Sequence, residues 1–262
     1  MIFSDYYSME TVQPDILQQL KHKFRFLDFW GTNQHIIDTI YKAPFHQEQF
    51  LTPYKNSFNS FLGIAINPLP QEYMIHVKNK QQDQLQILLW GKDNHYFAQE
   101  HWDLIHKIRE QFPNIAIHST IQRLWPGQPN ITNHKVLKHN EWTRLLAQSN
   151  IIMGVGWPVI GPTVLEAIAA GCVYMNKKDF YAPQHHETLH FDSQHPYARD
   201  LFHGPPLVYD VDHNQHQQVM NTIRTIIDRR KQIQPTIHPD YTMNSVVRRL
   251  QQILGNNKTF IT

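Results

Sequence analysis

From Ser60 onward the chain alternates short apolar runs with amphipathic stretches. Residues 61–66, 86–90, 115–118, 135–137, 151–153, 173–175 and 207–209 have the length and apolar continuity expected of buried strands. Between two of them, His101, Leu104, Ile105, Ile108 and Phe112 recur at helical spacing, and residues 141–148 and 162–170 read as two shorter helices. Strand alternating with helix is the pattern of a parallel sheet covered by helices on both faces. Near the C-terminus Val219, Ile223, Ile226 and Ile227 line one helix face, and Met243, Val246, Val247, Leu250 and Leu254 line another. Pro235 and Pro239 break the chain between them, so two helices are expected to complete or brace the sheet.

The first sixty residues follow no such rhythm. Residues 16–26 have helical character, whereas residues 33–59 carry aromatic side chains without a period and read as an irregular connecting segment. The expected organisation is an N-terminal extension, residues 1–58, followed by one Rossmann-like nucleotide-sugar-binding domain with C-terminal helices, residues 59–262.

Composition removes several function classes. A chain of 262 residues, 41% hydrophobic and 18% charged, is long enough for one large globular domain or two modest ones. Its 24 Lys and Arg residues are dispersed and its formal charge is only +2, so the concentrated basic face of a nucleic-acid partner is missing. The single cysteine, Cys172, excludes an internal disulfide framework and a multi-cysteine zinc site. The opening MIFSDYYSMETVQPD has no basic segment followed by an apolar run, and no stretch approaches the ~20 apolar residues of a membrane span. A cytoplasmic location without membrane contact is therefore expected.

The stretch GVGWPVIGPTVLEAIAAGC, residues 154–172, carries the most chemistry. It leaves a strand at Met153, turns through glycine and proline, and enters a helix bearing one carboxylate, Glu166. In doubly wound sheets ligands sit beyond the carboxyl ends of the strands, where residues 154–163 should lie. Glycine lets backbone amides approach a ligand, Pro162 suits a first helical turn, and free amides at a helix start favour phosphate. A carboxylate at Glu166 suits ribose hydroxyls, so the stretch reads as a nucleotide site. It reads equally as an ordinary turn with an acid complementing the helix dipole. The spacing is neither that of the dinucleotide fingerprint nor that of a P-loop. A second turn, LLWGKDNHYF (residues 88–97), places Lys92 just past a strand, either facing a diphosphate or simply solvated. His185 and His190 are not at helical ligand spacing, and no metal is expected.

Four segments, NSFLGI (59–64), WGK (90–92), GVGWPVIGPTVLEAIAAGCVYMN (154–176) and SQHPYARDLFHGPPLVYDVD (193–212), together resemble glycosyltransferase family 18. This is the family of the alpha-1,6-mannosylglycoprotein 6-beta-N-acetylglucosaminyltransferases. FRFLDFWGTN, residues 24–33, resembles the segment leading into the family's donor domain. The resemblance implies an inverting, metal-independent GT-B enzyme that moves N-acetylglucosamine from its UDP sugar to mannose of an N-glycan acceptor, with this chain supplying the C-terminal, donor-binding half. It implies a nucleotide contact at Glu166, and it puts Lys92, Gly161, Pro162 and Thr163 in segments facing the donor.

Three features depart from the family. Ile160 stands where the family carries an acidic residue, and His185 stands near a family lysine associated with the donor phosphates. The family's N-terminal Rossmann-like domain, which holds the catalytic base, is expected to be missing, so no base is assigned; Asp28 and His35 are the nearest candidates. Two functions follow as expectations. One is a UDP-sugar-dependent N-acetylglucosaminyltransferase, with another chain possible as the source of the acceptor domain. The other is a donor-domain remnant that binds a nucleotide sugar or a protein partner without turnover.

Overall fold

The computed structural model describes residues 2–4, 14–28, 31–41, 45–80, 82, 84–91, 99–121, 131–156, 159–181 and 190–255. The chain divides into two compact units, one formed by residues 1–66 with 239–262 and the other by residues 67–238. The extension expected over residues 1–58 corresponds, in this division, to a unit that runs to Ile66 and takes in the C-terminal segment.

The first unit holds β1 (Ile2–Ser4), α1 (Pro14–Leu20), β2 (Phe24–Leu27), α2 (Gln34–Ile36), β3 (Phe50–Thr52) and β4 (Ser60–Phe61). Its four strands form a parallel sheet in the order β1-β2-β3-β4. Residues 33–59, expected to be irregular, instead contain β3, and their aromatic side chains build a core. Phe26 lies 4.7 Å edge-on from Phe45 and 4.9 Å from Phe50, with Phe24 and Ile37 completing the cluster. Strands of two to four residues are too short to show a period.

The second unit contains α3 (Met74–Asn79), β5 (Gln86–Trp90), α4 (Gln99–Gln111), β6 (Ala116–Ser119), β7 (Thr132–Asn133) and α5 (His139–Gln148). It continues through β8 (Ile151–Gly154), α6 (Thr163–Ala169), β9 (Val173–Tyr181), β10 (His190–Ser193), α7 (Ala198–Phe202), β11 (Val208–Val211) and α8 (His216–Arg229). The sheet runs β10-β9-β8-β5-β6-β7, with β11 also on β9, and every pairing but β10 with β9 is parallel. Central strands buried on both faces need continuous apolar sequence, which QILLW and IIMG supply.

Alternate residues divide the core between two layers. Ile87, Leu89, Ile151, Met153, Val173 and Met175 join Leu104, Ile105 and Ile108 of α4 and Val219, Ile223 and Ile226 of α8 in one cluster. Leu88, Ile152 and Tyr174, their neighbours in sequence, are also fully buried, as are the inward residues of α5 and α6. Each such side chain contributes roughly 1.5–3 kcal/mol by leaving water. Helices on both faces of a parallel sheet are the Rossmann-like class that the alternation predicted. The strand expected at 135–137 lies earlier, at Thr132–Asn133.

The final helix, α9 (Met243–Gly255), expected to complete or brace this sheet, belongs to the first unit. There the Arg249 side chain donates to the Leu62 carbonyl at 2.7 Å and lies 4.3 Å over the Phe61 ring. Among the described residues no helix is long and apolar enough to cross a membrane.

Candidate functional site

Parallel pairing gathers the carboxyl ends of the second unit's strands at one edge. The register sets Trp90 beside Gly154 and Leu89 beside Ser119, so these strands end level. Beyond that edge is a cavity of about 380 Å³. Trp90 and Gly91 line it from the end of β5, Thr120 from just past β6, and Lys135, Val136 and Leu137 from the chain after β7. Trp142 of α5 and Thr163 at the start of α6 close the other side.

Each wall has a local cause. At the end of β7, Asn133 accepts from the Ser119 hydroxyl at 3.0 Å and donates to the Ile121 carbonyl at 2.8 Å, which pins the start of the segment carrying Lys135 to Leu137. His118 and His134 lie just below, their rings stacked at 5.1 Å with Nδ1 and Nε2 2.8 Å apart. Burial pushes both imidazoles below their ordinary range, and His134 lowers His118 further. Val136 projects into solvent at 75% exposure, an apolar surface on the rim.

Next to β5 in the sheet, β8 ends at Gly154. A Cβ there would collide with Gln194 Oε1, so the close approach of that side chain requires glycine. Pro162 caps α6, and the Glu166 amide donates to its carbonyl at 3.1 Å. One turn in, the half-buried Glu166 carboxylate accepts from the Trp142 indole through Oε2 at 3.0 Å. This bond orients a carboxylate next to a residue that lines the cavity, and the second carboxylate oxygen retains its acceptor capacity.

The structure brings together Thr163, on the cavity wall, Pro162 and the buried Gly161 beside it, and Glu166 through Trp142. Lys92 and His185 lie outside the described residues. Among the described residues, no group of three or more His, Cys, Asp and Glu side chains gathers as a metal site. Asp28 belongs to the first unit, where it accepts from the Thr32 hydroxyl at 2.5 Å.

Sequence reasoning missed Trp142, Trp90 and the Lys135–Val136–Leu137 rim. Trp142 precedes the buried Leu145 and Leu146 by three and four residues, the spacing of a core position. Its polar indole edge was the available signal, because a Trp N–H seeks an acceptor when half-buried.

The family model of glycosyltransferase family 18 matches residues 1–261. Alpha-1,6-mannosylglycoprotein 6-beta-N-acetylglucosaminyltransferase A of Homo sapiens is 28% identical over 254 residues, covering 88% of this chain and 33% of the relative. The chain therefore spans about a third of that relative's length. Among solved structures, the glycotransferase of kitacinnamycin aligns with a TM-score of 0.54 at 9% identity, over 97% of this chain and 74% of that one. Anabaena HepE, solved with UDP and glucose, aligns with a TM-score of 0.53 at 14% identity, over 98% of this chain and 70% of that one. These likenesses show the fold, the GT-B class expected from sequence.

The expected cytoplasmic location is overturned by the human relative. A mannosylglycoprotein is a product of the secretory pathway, and an enzyme named for one points to the lumen of that pathway and not to the cytosol.

Proposed function

The chain belongs to glycosyltransferase family 18, and on that premise we propose that its second unit holds the UDP-N-acetylglucosamine donor of a transferase acting on a mannosyl glycan. One observation carries the reading. A carboxylate, Glu166, is fixed by the indole of Trp142, and Trp142 lines a cavity on the carboxyl edge of a parallel sheet. That is where such sheets place nucleotides. The remaining acceptor capacity of Glu166 suits a ribose diol. Trp90, Val136 and Leu137 offer the apolar surface that a pyrimidine face needs, and Lys135 supplies a nearby positive charge.

The transfer breaks the bond between the anomeric carbon and the UDP oxygen and forms one from the acceptor hydroxyl, whose proton passes to a base. Inversion follows from attack opposite the leaving group. We assign the stabilisation of departing UDP to amides and cationic side chains without a metal ion, with Lys92 and His185 as the further donor-facing candidates. The acceptor glycan, and a base supplied by sequence or by a chain beyond the donor unit, complete the proposed enzyme.

Isothermal titration with UDP and UDP-N-acetylglucosamine tests the site. Glu166→Ala is expected to weaken both by about 10- to 100-fold, the range for losing a charged hydrogen-bond acceptor. A folded wild type that binds neither nucleotide would remove the reading. Binding without acceptor-dependent release of UDP would favour the second reading, a donor-domain remnant, which Ile160 in place of the family's acidic residue supports.

A further inference from the structure

Two helices bring Trp142 and Glu166 together, and both stop against one buried side chain. α5 ends at its cap residue Ser149 and α6 at its cap residue Ala170. The Lys80 ammonium donates to the Ser149 carbonyl at 2.9 Å and to the Ala170 carbonyl at 2.8 Å. Lys80 is only 5% exposed. A buried ammonium needs compensation, and the last carbonyls of a helix, at the negative end of its dipole, supply it. Two such ends converging on one cation hold each other at a fixed spacing.

The cation is in turn fixed at its base. Lys80 caps α3, where its amide donates to the His76 carbonyl at 2.9 Å. Asn150 Nδ2 donates to the Lys80 carbonyl at 2.8 Å, and Asn150 Oδ1 accepts from the Gln86 amide at 2.9 Å, which ties the lysine backbone to the start of β5. A thiol adds a second tie at the same end. Cys172, just past α6, shares its proton between the Leu146 and Ser149 carbonyls, both 3.2 Å from Sγ.

From this anchored end the helices run toward the cavity. At 1.5 Å per residue, Trp142 stands about 10 Å from Ser149 along α5, and Glu166 about 6 Å from Ala170 along α6. There the two meet in the indole–carboxylate bond of 3.0 Å. Hydrogen bonds weaken steeply with misalignment, so a change of spacing at the anchored end reaches the presentation of Glu166.

We propose that Lys80 is a positioning residue of the donor site: its ammonium sets the spacing of α5 and α6 and, through it, how Trp142 presents Glu166 beside the cavity. The inference rests on the donor-site reading above and adds to it a residue at the other end of the two helices, which touches no ligand.

The test uses the full chain with nitrogen-15-labelled tryptophan. The Trp142 indole N–H resonance, assigned by its loss in Trp142→Phe, reports the bond to Glu166 without nucleotide, and UDP titration reports the site. Lys80→Met keeps the apolar stem and removes the ammonium. Its Trp142 resonance is expected to move in the same direction as in Glu166→Ala, where the bond is absent. The resonance of Trp102, buried in α4 within the other layer of the core, should stay in place. UDP affinity should fall by about 3- to 10-fold, the magnitude of one ordinary hydrogen bond. In a Trp142→Phe background the same substitution should cost less than about twofold, because the bond being positioned is gone. Should the methionine variant not fold, Lys80→Gln, which retains an N–H for one of the two carbonyls, is measured in its place against the same marks.

A Trp142 resonance that keeps its wild-type position in the folded variant overturns the positioning role, whatever UDP does. A displaced Trp142 resonance with unchanged UDP affinity overturns it too. So does a shift of Trp102 alongside Trp142 with an undiminished loss in the Trp142→Phe background, since that is general loosening and not positioning. If wild type itself binds no UDP, the donor-site reading fails and takes this inference with it. The indole resonance, read without nucleotide, tells that failure from a failure of the clamp.

Discussion

Trp142 decides how the Glu166 carboxylate is presented, and its two functions can be separated by substitution. The ring forms part of the cavity wall, and the indole N–H holds Oε2. Trp142→Phe keeps most of the ring and removes the donor. A half-buried carboxylate that loses one donor regains water easily, so the protein should remain folded while the carboxylate becomes free to rotate. UDP affinity is expected to fall by about 3- to 10-fold, the magnitude of one ordinary hydrogen bond. Glu166→Ala should cost more, because it removes the acceptor itself. Titration of both variants beside wild type measures the order. A larger loss in Trp142→Phe than in Glu166→Ala would mean that the ring edge, and not the carboxylate, contacts the ligand.

At the scale of elements, α6 ends because Gly171 takes φ 75°, letting the Cys172 amide reach the Ala167 carbonyl at 2.9 Å and the Gly171 amide reach that of Ile168 at 2.9 Å. A Cβ at Gly171 would meet the Pro235 ring at 3.4 Å, so Gly171→Ala adds a tight contact to an unfavourable φ. The substitution should cost about 1–2 kcal/mol and lower the melting temperature by about 2–8 °C, without changing UDP affinity. Differential scanning calorimetry with and without UDP checks both halves. The short sequence from Gly154 to Cys172 thus shows its strand, turn, helix and stop directly, because glycine and proline mark points where only certain backbones fit. The edge of the sheet and the place of Glu166 were legible for the same reason. Less legible were β3 and β4, three and two residues long, and the cavity wall past β7, where Lys135 stands at φ 57° in sequence that reads as strand. The hold on the loop was hidden for a different reason. The Ile160 amide donates to the Gln194 carbonyl at 3.3 Å, a contact made across the fold that no spacing along the chain encodes.

At the scale of the whole molecule, the buried histidines tie stability to pH. His195 is fully buried, and desolvation brings its imidazole down to about 4. His213 is driven well below its usual value by burial and then by His101, Lys177 and His216, the groups that face it. The unfolded chain has no such constraint, and its histidines take up protons near pH 6.5. Between that pH and the depressed folded value the unfolded state binds more protons, so stability rises with pH and falls as the solution is acidified. The contribution is intact above about pH 6.5 and is lost progressively toward pH 4. Between pH 7 and 5.5 the 22 Asp and Glu residues remain largely ionised in the unfolded chain, so histidines dominate the change. His195 should remove about 1 kcal/mol over that interval, and His213 acts in the same direction. Urea unfolding followed by fluorescence at half-unit steps would show the midpoint drifting down across it. His195→Gln, which keeps a hydrogen-bonding side chain but does not titrate, should flatten part of the slope. A midpoint that holds steady from pH 7 to 5.5 in the wild type would mean that these imidazoles are not held neutral in the folded state.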